Sequence, residues 1–184
     1  MNWKEYKEQI KEGLDLFEFD DEILRILKES IKNKQTIFVG GNGGSAAIAN
    51  HYVSDVSKGA NQDWSKNFKR YKAISLSSNI EYITAIANDS YYKDIFKQQL
   101  INHAKKGDIL ILISSSGNSP NVVKAAEYAK SIGMTVIGIS GFKGGKLKDV
   151  ADYTGYVNKE SYEVSEDVHA VFGHFLAVYL RESK

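Results

Sequence analysis

The chain contains no cysteine. Disulfides and thiolate metal sites are therefore excluded, and the composition fits a reducing compartment. Long apolar runs are missing too: none approaches the roughly 18 residues that span a bilayer. The first residues, Met1-Asn2-Trp3-Lys4-Glu5-Tyr6-Lys7-Glu8, carry charges every few positions and no apolar secretory segment. A cytoplasmic protein with no membrane partner is expected. Charge of one sign is not in excess, since 24 Lys and Arg face 23 Asp and Glu for a net charge of +1. That balance gives no reason to expect a nucleic-acid partner. It also means that a phosphate ligand must be held by local groups rather than by a bulk positive field. There is a single proline, Pro120, and no repeat, low-complexity tract or linker divides the chain.

Hydrophobic residues make up 42% and charged residues 26% of the 184 positions, as in a soluble globular protein. One domain, residues 1–184, is expected. Ile10, Leu14, Phe17, Ile23, Leu27 and Ile31 recur at largely helical spacing, which predicts one or two amphipathic helices over residues 1–33. The period then changes. Short β-rich apolar runs occupy residues 36–40, 72–76, 108–113, 135–139 and 153–157. Helical stretches fall between them at residues 45–56, 80–87 with 92–104, and 121–132, and a last long one covers 164–181. Strands alternating with helices predict an α/β fold: an open, doubly wound, five-stranded parallel sheet over residues 34–184, flanked by helices.

In such a sheet, ligands bind beyond the carboxyl ends of the strands. The first strand run is followed by Gly40-Gly41-Asn42-Gly43-Gly44-Ser45, opening into a helix. Glycines admit close ligand approach, and helix N-terminal amides attract anions. Ser45 can cap that helix or donate to a phosphate or a sugar hydroxyl. Gly41-x-Gly43-x-x-Ala46 loosely matches a dinucleotide fingerprint, but the second strand run ends Leu76-Ser77-Ser78 with no acidic residue for a ribose. A Gly-Lys-Ser/Thr phosphate loop is also missing, so no nucleotide cofactor is expected. The third strand run leads into Ser114-Ser115-Ser116-Gly117-Asn118-Ser119. Its hydroxyls and successive N–H groups form a neutral phosphate cradle. Ser119, before Pro120, also reads as a helix cap. Asn88 and Asp89 can cap the next helix or bond sugar hydroxyls.

Two groups of titratable residues stand out. His51 and Asp55, at i and i+4, share one helical face. Glu163, Glu166, Asp167, His169 and His174 gather in the last helix. The bland reading of Glu163, Glu166 and Asp167 is favourable charge in a helix's first turn, and that of His51 and Asp55 a surface helix pair. Asp167 and His174, seven apart, are nearly eclipsed on a helical wheel, whereas Glu166 and His174, eight apart, sit roughly 80° from each other. Four candidate ligands without cysteine would suit zinc or another divalent first-row metal.

Taken in order, Gly41-Asn42-Gly43-Gly44-Ser45, His51, Ala85-Ile86-Ala87-Asn88-Asp89, the serine loop, Gly141-Phe142-Lys143-Gly144-Gly145-Lys146-Leu147 and Glu166-Asp167-Val168-His169 through His174 resemble the phosphoheptose isomerase family. That family belongs to the sugar isomerase (SIS) domain group, and the resemblance covers nearly the whole chain. It implies interconversion of sedoheptulose 7-phosphate and D-glycero-D-manno-heptose 7-phosphate for lipopolysaccharide, capsule or other surface heptose synthesis. It also implies a homotetramer with active sites at subunit interfaces. Asn42, Gly43, Gly44, Ser45, Asn88, Asp89, Ser114, Ser115, Ser116 and Ser119 would contact the substrate, together with Asp55 and Glu166. His51, Asp55, Glu166 and His174 occupy the family's zinc positions, and Asp55 and His174 those of general base and general acid.

The chain departs from the family at three places. Asp55 stands where the family has Glu, Glu166 where it has Gln, and Lys58-Gly59 where it has Gly-Arg. Asp draws a base back by roughly 1.5 Å, on a scale where about 1 Å matters to catalysis. The departures imply a divergent branch. Two other readings stay open: an isomerase of a different ketose phosphate, and a non-catalytic SIS protein that senses a sugar phosphate or serves as a scaffold.

Overall fold

The computed structural model describes residues 1–60 and 70–183. Three apolar runs form the centre of one sheet: β2 (Thr36–Gly41), β4 (Ile109–Ser114) and β5 (Thr135–Ser140). Side chains alternate across a strand, so each run divides between two cores. Ile37, Val39, Ile109, Ile111, Ile113, Ile137 and Ile139 face one side. Phe38, Leu110, Leu112 and Val136 face the other. Strands buried on both faces need helices on both faces. The first core is closed by α2 (Glu22–Ser30), α3 (Gly43–Ser54) and α8 (Tyr162–Glu182). The second is closed by α4 (Ile80–Asp89), α5 (Ile95–His103), α6 (Pro120–Ser131) and α7 (Gly145–Val150).

With β3 (Lys72–Ser75) and β6 (Tyr153–Val157) the sheet continues outward, and its full order is β1-β6-β5-β4-β2-β3. The sixth strand corrects the expected five. β1 (Phe17–Phe19) pairs antiparallel with β6, Phe17 opposite Val157, so the sheet is mixed rather than wholly parallel. Phe17 continued the helical spacing of Ile10 and Leu14, but α1 (Trp3–Asp15) stops before it. Phe17-Glu18-Phe19 alternates apolar and polar, and as a strand it places both rings against Phe172, each with centroids 4.9 Å apart. Three residues are too few for periodicity to separate strand from helix; the open edge of β6 decides. Ile23 and Leu27 of α2 are fully buried in the protein's own core, whereas Leu14 and Leu16 near the end of α1 remain 40% exposed. Only part of the N-terminal apolar surface is therefore left for a partner. No helix among the described residues is long and apolar enough to cross a membrane.

α3 and α8 approach unusually closely. A Cβ at Gly173 would fall 2.0 Å from Cε1 of Tyr52, so only glycine admits that ring. The Tyr52 hydroxyl donates to the His169 carbonyl at 2.6 Å, and burial raises its pKa. The His169 imidazole is itself fully buried, with no hydrogen bond at either nitrogen. Burial pushes its pKa down from 6.5 to about 4, against a smaller upward pull from the Ser140 backbone.

Two outcomes are expected. Alanine in a helix is favoured over glycine by about 1 kcal/mol, yet Gly173→Ala should lower stability by about 1–3 kcal/mol through overpacking. Urea unfolding checks this, and a stabilised variant contradicts it. For His169, the folded pKa lies below the unfolded value, so the unfolded chain takes up the proton first. The resulting stability is present above about pH 6.5 and is lost as the pH falls towards about 4, by on the order of 3 kcal/mol. Unfolding curves of wild type and His169→Leu should differ in pH slope across that window. Parallel slopes would remove His169 as the titrating group.

Candidate active site

The chain passes from β2 outward to β3, then returns to the other side of β2 to lay down β4, β5 and β6. The order therefore reverses between β2 and β4, the place where open α/β sheets bind ligands. A polar cleft of about 160 Å³ lies there. One wall is the turn from β2 into α3, with Asn42 and Ser45. The opposite wall is the serine loop after β4, with Ser114, Ser115, Ser116 and Ser119. α8 adds Tyr162 and Glu166, and Ile113 completes the lining. No Lys, Arg or His lines it among the described residues. Seven of the predicted substrate residues are thus brought together, and Gly43 and Gly44 open α3 beside them. Gly43 has φ +52°, a left-handed conformation that glycine adopts without strain.

The capping roles expected of two serines are not realised. Ser119 sits at the N-cap of α6, but its hydroxyl makes no cap bond and lies 3.4 Å from Ser114 Oγ. Its carbonyl instead takes the Val122 and Val123 amides. Ser45 lies inside the first turn of α3, whose N-cap is Asn42. Asn42 does not cap either: its side chain is held from across the cleft. Its Oδ1 accepts from Asn121 Nδ2 at 2.8 Å and from the Tyr92 hydroxyl at 3.0 Å. Its Nδ2 donates to Asn121 Oδ1 at 2.9 Å. Asn121, Tyr92 and Tyr162 escaped the sequence reading. A polar Asn inside the first turn of the helix after the serine loop was the available signal for the first of them. The Ser115 hydroxyl is buried and unpartnered, so it is not presented to the cleft.

Asn88 and Asp89 close α4 as exposed residues bonded to each other, with Asn88 Nδ2 donating at 2.8 Å. They neither cap the next helix, whose N-cap is Asp94, nor line the cleft.

A second cluster lies further along the same two helices. His51 Nε2 is 3.5 Å from Asp55 Oδ1, and His174 Nε2 is 3.8 Å from Asp55 Oδ2. The two imidazoles meet edge to face with centroids 4.9 Å apart. Asp55 opens a π-helical turn, Asp55–Gly59, that follows α3 and takes over the last residues expected to be α-helical. One donor atom from each of the three lies within 4.8 Å of the others. Two imidazole nitrogens and a carboxylate oxygen fit zinc or another divalent first-row metal and leave a coordination position open.

Glu166 does not join them within one chain. It precedes His174 by eight residues, about 12 Å along the helix axis. Its carboxylate instead lies over Gly44, where a Cβ would fall 2.1 Å from Oε2. Burial raises its pKa, with Glu163 and Asp167 adding to the rise. The remaining acids of α8 disperse as well. Glu163 accepts from Ser161 Oγ at 3.0 Å, and its carboxyl pKa is lowered first by its own backbone N–H and then by that hydroxyl. Asp167 takes the Tyr6 hydroxyl at 2.7 Å, pushing that phenol up to about 12.

Known proteins resemble this arrangement along nearly the whole chain. The SIS domain family model matches residues 18–141. A phosphoheptose isomerase of Helicobacter pylori is 36% identical over 172 residues, covering 93% of this chain and 88% of its own. One from Clostridium acetobutylicum is 36% identical over 173 residues, covering 94% and 86%. Among solved structures, the Neisseria gonorrhoeae phosphoheptose isomerase superposes with a TM-score of 0.84 at 25% identity, over 97% of this chain and 96% of that one. The Francisella tularensis enzyme gives 0.81 at 26% identity, over 88% and 84%. The mixed sheet between helical layers, the cleft at its switch point and these likenesses together place the chain in the phosphoheptose isomerase family of SIS-domain proteins, as an isomerase.

Proposed function

We propose that the protein interconverts sedoheptulose 7-phosphate and D-glycero-D-manno-heptose 7-phosphate, supplying heptose for a surface polysaccharide such as lipopolysaccharide or capsule. The observation that carries this reading is the pairing of a serine-lined cleft with a His51–Asp55–His174 cluster on the same two helices. The cleft suits the phosphate: Ser114, Ser116, Ser119 and Ser45 offer hydroxyls beside the amides that open α3 and α6. Asn42, held by Asn121 and Tyr92, has a fixed orientation towards the sugar. Asn88 and Asp89 are assigned to sugar hydroxyls on the resemblance alone.

The chemistry moves a carbonyl between C1 and C2. Asp55 removes a proton from C1 of the ketose, leaving an enediolate, and returns it to C2. His174 gives a proton to O2 and receives the one leaving O1, a task suited to an imidazole near neutral pH. Zinc held by His51, Asp55 and His174 would supply positive charge against the charge that develops on the enediolate. Glu166 is a fourth ligand in this reading only if it comes from a second copy of the chain, because its own lies too far along α8.

A homotetramer with active sites at subunit interfaces is supported by the apolar face shared by α1, β1 and α8, where Val171 is 46% and Phe175 42% exposed next to Leu14. Native mass spectrometry should show a four-chain assembly carrying zinc that is lost in His51→Ala. A metal-free monomer would contradict both parts.

The central test is turnover. Purified protein given a panel of ketose phosphates should release the aldose from sedoheptulose 7-phosphate. Asp55→Asn should abolish this and still bind the sugar phosphate, since Asn keeps size and hydrogen bonding but cannot take a carbon-bound proton. His174→Ala should slow it by about 10²–10⁴-fold, and Asp55→Glu should retain substantial activity. Turnover of another ketose phosphate alone reassigns the substrate. Binding without any turnover supports a sensor instead, and wild-type rates in Asp55→Asn remove the proposed base.

A further inference from the structure

Among the described residues, the cleft is lined by a carboxylate and by no cation. A cradle of neutral hydroxyls and amides holds any phosphate group, inorganic or esterified, with little to tell the two apart. Glu166 changes that. Its carboxylate sits over Gly44 at the opening of α3, facing the serine loop that forms the other wall. The neighbouring acids are tied elsewhere, Glu163 to Ser161 and Asp167 to Tyr6. Glu166 is therefore the carboxylate that the bound ligand meets.

We propose that Glu166 is a specificity-determining residue that disfavours bare phosphate and favours phosphate esters carrying hydroxyl groups next to the phosphate-bearing end. This inference rests on the reading of the serine cleft as the phosphate site. Any phosphate entering the cleft meets like-charge repulsion from the carboxylate, strengthened because the group is half-buried. Inorganic phosphate has only its own P–OH to offer the carboxylate in return. A polyol chain donates its hydroxyls to the same carboxylate in charge-assisted hydrogen bonds, which offset the repulsion. Specificity is a difference between two affinities, and a repulsive element raises it as effectively as an attractive one. A glutamine in this place would keep the hydrogen-bonding shape and remove the repulsion.

The experiment is calorimetric titration of the full-length protein, wild type and Glu166→Gln, with inorganic phosphate and with sedoheptulose 7-phosphate at one pH, with the metal content of both proteins measured. Glu166→Gln should bind inorganic phosphate about tenfold more tightly. Its affinity for the sugar phosphate should rise by less than about threefold, or fall, as the charge-assisted bonds are lost. The preference for the ester over bare phosphate therefore narrows. Unchanged or weaker binding of inorganic phosphate overturns the inference, as does an equal rise for both ligands. Loss of metal with phosphate affinity unchanged also overturns it, by assigning Glu166 to a metal site. The paired change Ser114→Ala with Ser116→Ala separates the two readings. If it weakens phosphate binding, the cleft reading stands whatever Glu166 does; if phosphate binding is untouched, the cleft reading fails and takes this inference with it.

Discussion

The packing of Tyr52 against Gly173 sets the relation between α3 and α8, and both candidate sites depend on that relation. Tyr52 lies between His51 and Asp55 on its helix, while His174 directly follows Gly173. Seating the Tyr52 ring where a side chain at position 173 would stand brings those three groups together. The hydroxyl bond to the His169 carbonyl fixes the sliding register of the two helices. The same two helices serve the cleft at their N-terminal ends, where Glu166 overlies Gly44. One helix–helix contact therefore sets the geometry of a polar cleft and of a metal-like cluster some turns away.

The two sites differ in electrostatic character, and the difference follows from what the chain has available. With a net charge of +1 and no cation among the described residues lining the cleft, the proposed phosphate site would work through oriented neutral dipoles. Such dipoles are effective because they are already in place and half-buried, where water competes poorly. The cluster instead gathers titratable side chains, with His51 and His174 largely exposed around a more sheltered Asp55.

Much of the fold was legible in the sequence. The β-rich runs at residues 36–40, 108–113 and 135–139 became central strands because a strand buried on both faces needs an unbroken apolar run. The serine loop and the glycine-rich turn were legible as ligand-facing because they follow such strands. β1 was not legible: Phe17 satisfied a helical period, and what made it a strand was a free edge of β6, supplied by residues far along the chain. The caps were misjudged for a related reason. Ser119 and Ser45 have the chemistry of N-caps, but the Ser119 hydroxyl lies beside Ser114 Oγ and Ser45 falls inside α3, whose N-cap position goes to Asn42, an arrangement that exists only after the sheet has formed.

The sequence by itself determined the α/β class, the positions of the central strands and the residue types that follow them. These depend on local periodicity and on the chemistry of short segments. Tertiary structure alone decided how the candidate residues divide. The resemblance made Glu166 and His174 candidates for one site, but eight residues of helix put about 12 Å of axial rise between them. That rise separates them, sending Glu166 to the cleft and leaving His174 with His51 and Asp55. Likewise, His169 read as one more polar residue of an acidic group until the packing of α8 onto the sheet buried it completely. Which face of a helix meets the core is fixed by what packs against it, and that information is spread over the whole chain.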